Sequence, residues 1–148
     1  MIQRKQTLFL LALVIIAIIQ FFIPFQTLTS TKGTWPICLM PGCSSDIIDS
    51  YIYIPMVLNF LVLVLSVVTI FLYKNRVFQY KLANLNALFN VFIVGFFFLL
   101  SFVKDNIMGS LNYEVGAFLP VISAIFAFIA AHFIKKDEIL VRNVDRIR

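Results

Sequence analysis

Four long stretches of this chain contain almost no charged residue, and this feature limits the possible folds more than any other. Nearly all Asp, Glu, Lys and Arg residues lie in the connections between the stretches. A bilayer core about 30 Å thick needs roughly 20 apolar residues per helix, and a charge at its centre costs about 3 kcal/mol. The pattern therefore predicts four transmembrane helices, near residues 7–25, 52–73, 80–102 and 115–134.

The composition agrees with a membrane environment. The chain has 148 residues and is 61% hydrophobic, whereas a soluble domain is about half apolar. Strands of a membrane barrel would be about ten residues long and would alternate apolar with polar positions, whereas these stretches are unbroken and longer. The predicted fold class is an all-α integral membrane protein, a single domain over residues 1–148 built as a four-transmembrane-helix bundle.

Lys and Arg are divided unequally between the two predicted sides of the membrane. Of the twelve, all but Lys32 and Lys104 fall on the side that holds both termini. Because cytoplasmic loops carry the excess of these residues, we predict cytoplasmic termini and a periplasmic first loop at residues 26–51 in a bacterial inner membrane. The net charge of +5 is then a topology signal, so we expect no nucleic-acid partner. The first stretch lacks an A-x-A-like cleavage site and is predicted to be a retained anchor.

The first outer loop contains both cysteines of the chain, Cys38 and Cys43, in the segment WPICLMPGC. The residues Pro36, Pro41 and Gly42 predict irregular backbone there. In an oxidising compartment such a pair can close a short structural disulfide, which is our prediction. The alternative is a membrane thiol oxidoreductase. Those enzymes also have four helices, but they use C-x-x-C spacing and usually a second cysteine pair.

Five polar side chains fall within the predicted spans, where each needs a hydrogen-bond partner. They are Gln20, Asn59, Asn86, Asn90 and Ser123. Counting 1.5 Å per residue, we expect Gln20, Asn59 and Ser123 in one layer, and Asn86 with Asn90 in a second layer nearer the cytoplasm. We predict that these groups join the helices. A small-solute path is the alternative, although it usually needs an ionisable residue as well.

No catalytic, cofactor or metal site is predicted. His132 is the sole histidine, at the cytoplasmic end of the fourth stretch, and no acid or cysteine lies at its depth. A lone histidine cannot complete a metal site. We expect an interfacial polar residue, with proton sensing as the alternative.

Residues 135–148, KKDEILVRNVDRIR, continue a helical pattern beyond the fourth stretch and are predicted to form a cytoplasmic extension. Its acidic residues would be repelled by anionic lipid, so we expect the extension to bind protein through Arg142 and Arg146. Lipid headgroups or the chain's own connection at residues 74–81 are the alternatives. The apolar residues of the extension recur on one helical face: Leu140, Val141, Val144 and Ile147.

These observations favour a non-enzymatic protein that acts through contacts. We expect an accessory subunit or assembly factor, surrounded by membrane lipids, within a membrane-protein complex or a homo-oligomer. A thiol oxidoreductase and a small-solute transporter are the alternatives from other classes.

The two ends of the chain, MIQRKQTLFLL and KKDEILVRNVDRIR, resemble those of a known family. With the length and the four spans, they are similar to domain-of-unknown-function family 4293 of small Bacteroidetes membrane proteins. The resemblance covers the whole chain, and the final DRIR with KKDE upstream is its most specific part. It implies a Gram-negative inner membrane with the outer loop in the periplasm, and it implies no activity.

Overall fold

The computed structural model describes residues 5–30, 33–40, 46–73, 75–108 and 110–145. Helix α1 packs against α2 and α4, and α3 packs against the same two helices, so the bundle closes with antiparallel neighbours. Within the described ranges the α-helices are α1, Lys5–Phe22; α2, Asp46–Phe71; α3, Arg76–Met108; and α4, Leu119–Asp145.

Three of the helical segments are long and apolar enough to cross a membrane: Ile52–Phe71, Arg76–Val103 and Val115–Asn143. The apolar part of α1, Gln6–Phe22, is shorter. Helix α1 was expected to reach residue 25 but ends at Phe22, because Pro24 has no N–H and disfavours helical backbone in the residue before it.

A small antiparallel sheet, which the sequence did not predict, covers one end of the bundle, and it includes Pro36, where irregular backbone was predicted. Its strands are β1, Gln26–Ser30; β2, Gly33–Ile37; and β3, Ser110–Tyr113, in the order β2-β1-β3. Pro36 lies in β2 opposite Thr27. A proline is tolerated there because β2 is an edge strand of this sheet, where a missing N–H can face outward. The all-α prediction holds for the bundle and is wrong for this cap.

The two ends of the bundle differ, and we name them for what they carry. The sheet end carries β1, β2 and β3; the turn end carries the connection between Phe71, the last residue of α2, and Arg76, the first residue of α3. Helix α1 begins and α4 ends at the turn end, where the rings of Phe9 and Phe133 stack with centroids 5.7 Å apart. Both ends of the described chain therefore lie on one side of the bundle.

Large apolar side chains cover the outside of the bundle, and small or polar ones fill much of its interior. Phe60, Phe92 and Phe102 are each more than half exposed. The α3–α4 contact is rich in alanine, which lets two helix backbones approach closely: Ala83, Ala87, Ala127, Ala130 and Ala131 are all buried. A polar interior beneath an apolar exterior is the reverse of a soluble protein.

Candidate functional site

The interior of the bundle is lined with uncharged polar side chains. The five that the sequence singled out are all buried, and five more join them, on α1, α2, α3 and β1. The buried polar side chains among the described residues are Gln6, Gln20, Gln26, Asn59, Ser66, Thr69, Gln79, Asn86, Asn90 and Ser123.

Asn86 is the centre of the best-connected group. Its Nδ2 donates to Oγ of Ser66 at 2.6 Å and to the carbonyl oxygen of Val62 at 3.2 Å, which ties α3 to α2. The Ser66 hydroxyl also donates to the Val62 carbonyl, at 2.8 Å. Asn90 donates to the carbonyl and Oδ1 oxygens of Asn86, at 3.0 and 3.1 Å. The bonds from Asn86 to Ser66 and Val62 join two helices in the buried interior of the bundle.

Asn59 connects α2 to α1. Its Nδ2 donates to the carbonyl oxygen of Ala17 at 3.0 Å, and both residues are fully buried. The bond fixes the relative height of these two helices.

The register of these contacts brings α1, α2 and α3 together at one level. Asn59 and Asn90 each lie one turn toward the sheet end from the contact between Val62 and Asn86. Ala17 lies at the same level because its carbonyl accepts from Asn59. The sequence had placed Asn90 in a deeper layer than Asn59, and the packing instead puts the two at the same height.

Helices α1 and α4 add two more polar side chains to this level. Gln20 lies one turn beyond Ala17, and its side chain leans back toward Ala17 because helical side chains point toward the helix N-terminus. Ala127 of α4 and Ala87 of α3 pack in one buried cluster. Ser123 lies one turn from Ala127 toward the sheet end, and Asn90 lies one turn from Ala87 in the same direction. Ser123 and Asn90 are therefore at a similar height. We call the resulting set the central layer: Gln20, Asn59, Asn90 and Ser123.

Each residue of the central layer has at least one buried polar atom with no partner among the described protein groups. Leaving such an atom unsatisfied costs about 1–3 kcal/mol. The unpartnered atoms of the central layer are Gln20 Nε2, Gln20 Oε1, Asn59 Oδ1, Asn90 Oδ1 and Ser123 Oγ; outside it, Gln6, Gln26 and Gln79 each have an unpartnered Oε1.

Two glutamines that the sequence had assigned to connections lie inside the bundle. At the turn end, Nε2 of Gln79 donates to the carbonyl of Thr69 at 2.9 Å. At the sheet end, Nε2 of Gln26 donates to the carbonyl of Phe97 at 3.1 Å and to Oγ of Ser101 at 2.7 Å. The signal that could have found Gln79 is its spacing, since it precedes Asn86 by two helical turns and so shares its face of α3.

Aromatic side chains pack against each other at the sheet end. The rings of Phe25 and Phe97 stack with centroids 4.5 Å apart. Cys38 follows β2 and is 3% exposed, whereas Cys43, Pro41 and Gly42 lie outside the described residues. The Cys38–Cys43 pairing therefore stays a prediction.

At the turn end, α4 continues past the bundle as the predicted extension. Nη1 of Arg76 donates to the carbonyl of Asp137 at 3.0 Å. Beyond that contact Ile139, Leu140 and Val141 are 46%, 56% and 43% exposed, and Arg142 is exposed as well. Arg146 lies outside the described residues, as do the side chains of Val144 and Ile147.

His132 lines a surface crevice on α4, as part of a cationic edge at the turn end. The crevice measures about 420 Å³ and is lined by His132, Lys135, Lys136, Ile139 and Leu140. No group of three or more His, Cys, Asp or Glu side chains able to hold a metal ion occurs in the part of the chain that the structure describes.

A comparison with known proteins gives a family. No curated protein and no solved structure matches the chain. A family model described as Domain of unknown function (DUF4293) matches residues 2–147, nearly the full length, and confirms the family that the two terminal segments indicated. The chain therefore belongs to the DUF4293 family.

Proposed function

We propose that this protein crosses a bacterial inner membrane four times and acts, without catalysis, as an accessory subunit or assembly factor that binds a protein through its C-terminal helix. The observation that carries the proposal is the unbroken continuation of α4 to Asp145 with an exposed apolar surface.

The membrane part of the proposal is supported by the surface of the bundle. Exposed large apolar residues occur on every helix, and polar groups are inside. Helix α1 has 18 residues, which at 1.5 Å per residue gives about 27 Å, close to the thickness of a bilayer core. A helix of this length crosses with slight thinning of the bilayer or with its flanking residues reaching the headgroups.

The orientation is supported by the cations at the turn end. Arg76, Lys81, Lys135 and Lys136 all lie there, next to the start of α1. The positive-inside rule then gives a cytoplasmic turn end and a periplasmic sheet end.

The direction of α4 favours a protein partner over lipid. The helix has 27 residues, about 40 Å, and it begins at the sheet end, so roughly 10 Å extend beyond a core of about 30 Å. A helix that continues unbroken from a crossing segment points away from the bilayer, whereas a helix lying among headgroups needs a bend first. Ile139, Leu140 and Val141 are thereby presented to the cytoplasm.

The charged residues of the extension indicate which groups the surface of the partner should carry. Arg142 and Arg146 would face acidic groups at the rim of an apolar groove, and such a groove would take Leu140 and Val141. This is the usual way in which an amphipathic helix is recognised.

Photocrosslinking in intact cells tests the proposal. A photoreactive amino acid at position 140 is expected to give one discrete protein adduct, and Arg142→Glu is expected to weaken it by removing a pairing charge. The matched control is the same amino acid at Phe92, which is equally apolar and exposed but lies on the bundle surface. Lipid adducts alone at position 140 would contradict the proposal.

A further inference from the structure

We infer that the central layer binds enclosed water, so that Gln20, Asn59, Asn90 and Ser123 form a small hydrated site in the middle of the bundle. This site is independent of the contact function proposed for α4.

The first support is the chemistry of the unpartnered atoms. Three amide oxygens need donors, namely those of Gln20, Asn59 and Asn90, while the Gln20 amide nitrogen and the Ser123 hydroxyl offer hydrogens. Water both donates and accepts, and a buried water makes about three hydrogen bonds. Five such atoms are enough to hold about one or two molecules.

The second support is that the contacts already made restrict direct pairing. Nδ2 of Asn59 donates to the Ala17 carbonyl, and Nδ2 of Asn90 donates twice to Asn86. The Oδ1 atoms of Asn59 and Asn90 have no partner among the described protein groups, so their donors must come from a neighbouring side chain or from a bound molecule.

A cation fits this site less well than water does. The buried polar residues of the described bundle are all uncharged. An ion brought into a low-dielectric interior without a countercharge pays a large desolvation cost. Neutral amides and a hydroxyl satisfy a neutral molecule without that cost.

Buried apolar side chains lie on both sides of the site, and they favour water that is held over water that is conducted. Toward the sheet end, Ile93 and the stacked rings of Phe25 and Phe97 belong to one buried cluster. Toward the turn end, Leu13 and Ala127 pack in another buried cluster. A solute path would need an opening through one of these clusters.

Water-edited solid-state NMR of the labelled full-length protein in lipid bilayers tests the inference. Magnetisation from water is expected to reach the side chains of Asn59 and Asn90 several-fold faster than it reaches the buried methyl groups of Leu13. Equal, slow transfer to all three would show a dry layer and overturn the inference.

A variant separates the central layer from the rest of the polar interior. Gln20→Leu should slow the transfer to Asn59 and Asn90, since the water loses two partners, while the control Gln79→Leu, at the turn end, should leave it unchanged. The measurement on the unsubstituted protein already distinguishes a hydrated layer from a dry one, even where a variant fails to fold. Amide shifts that respond to sodium chloride but not to choline chloride would indicate a cation and would overturn the assignment to water.

Discussion

Gly116 and Pro24 approach so closely that the carbonyl of Pro24 accepts a hydrogen bond from the Gly116 N–H at 3.1 Å and leaves no room for a side chain. Gly116 belongs to a short 3₁₀ helix, Val115–Phe118, that leads into α4. Pro24 lies in the link between α1 and β1. The contact therefore joins the segment that follows α1 to the segment that leads into α4, at the sheet end.

Gly116→Ala is expected to destabilise the protein by about 2 kcal/mol, because a Cβ at this position meets the backbone of Pro24, which cannot rotate away. Unfolding in mixed micelles of mild and denaturing detergent measures the change. The control is Gly95→Ala in α3, where nothing lies near the added methyl group. That control should be neutral or stabilising by up to about 1 kcal/mol, because alanine favours helix. Equal effects of the two substitutions would show that the close approach does not exist.

The hydrogen bond between Asn86 and Ser66 should contribute measurably to joining α2 and α3. A double-mutant cycle of Asn86→Leu and Ser66→Ala is expected to give a coupling of about 0.6 kcal/mol, the average for hydrogen bonds between membrane helices, and at most about 1.7 kcal/mol. Unfolding in mixed micelles again supplies the free energies. The control pair is Asn86→Leu with Leu88→Ala, since Leu88 is exposed on the other side of α3. A coupling near zero for both pairs would contradict the structural role of the bond.

The helices of this fold can be predicted from the sequence because the requirements for a segment that crosses a bilayer are simple. A crossing segment must be long, apolar and internally hydrogen-bonded, and this rule finds all four helices. It does not find their ends, since α3 runs through Lys104 to Met108 and α4 runs through Lys135 and Lys136. Charged residues end an apolar stretch here without ending the helix.

The sheet could not be predicted from the sequence in the same way. Its central strand β1 pairs with β2, the next strand in the chain, and with β3, which is separated from it in sequence by α2 and α3. Pairing at that separation leaves no local pattern in strands of four or five residues. The sequence predicted only part of the central layer, because its composition also depends on contacts between distant segments. Depth along each helix predicts which polar groups share a level, but the alignment of one helix with another is set by contacts such as that of Asn59 with Ala17.

The two ends of the bundle should lie in different compartments, the turn end in the cytoplasm. In a background with Cys38→Ser and Cys43→Ser, single cysteines at Asn112 and Asn143, both exposed, report on the sheet end and the turn end. An impermeant thiol reagent is expected to label position 112 in intact spheroplasts and to label position 143 only after lysis. Labelling of position 143 from outside would mean that the excess of Lys and Arg does not set the orientation here.

The last prediction concerns Cys38 and Cys43, which we expect to form a structural disulfide and not a redox centre. Cys38 is 3% exposed beside the core under the sheet, and a buried sulfur is a poor nucleophile for exchange with a substrate. A short ring of this kind is worth about 2 kcal/mol in the chain-entropy view.

A reducing agent should therefore lower the stability of the unsubstituted protein by about 2 kcal/mol and leave the Cys38→Ser, Cys43→Ser double variant unchanged. The double variant serves as the control for nonspecific effects of the reductant. Unfolding in mixed micelles with and without the reductant provides the comparison. The competing function predicts a different result, a dithiol exchange activity in the unsubstituted protein that the double variant lacks. Detecting that activity would make the protein an oxidoreductase and would replace the contact function proposed for the C-terminal helix.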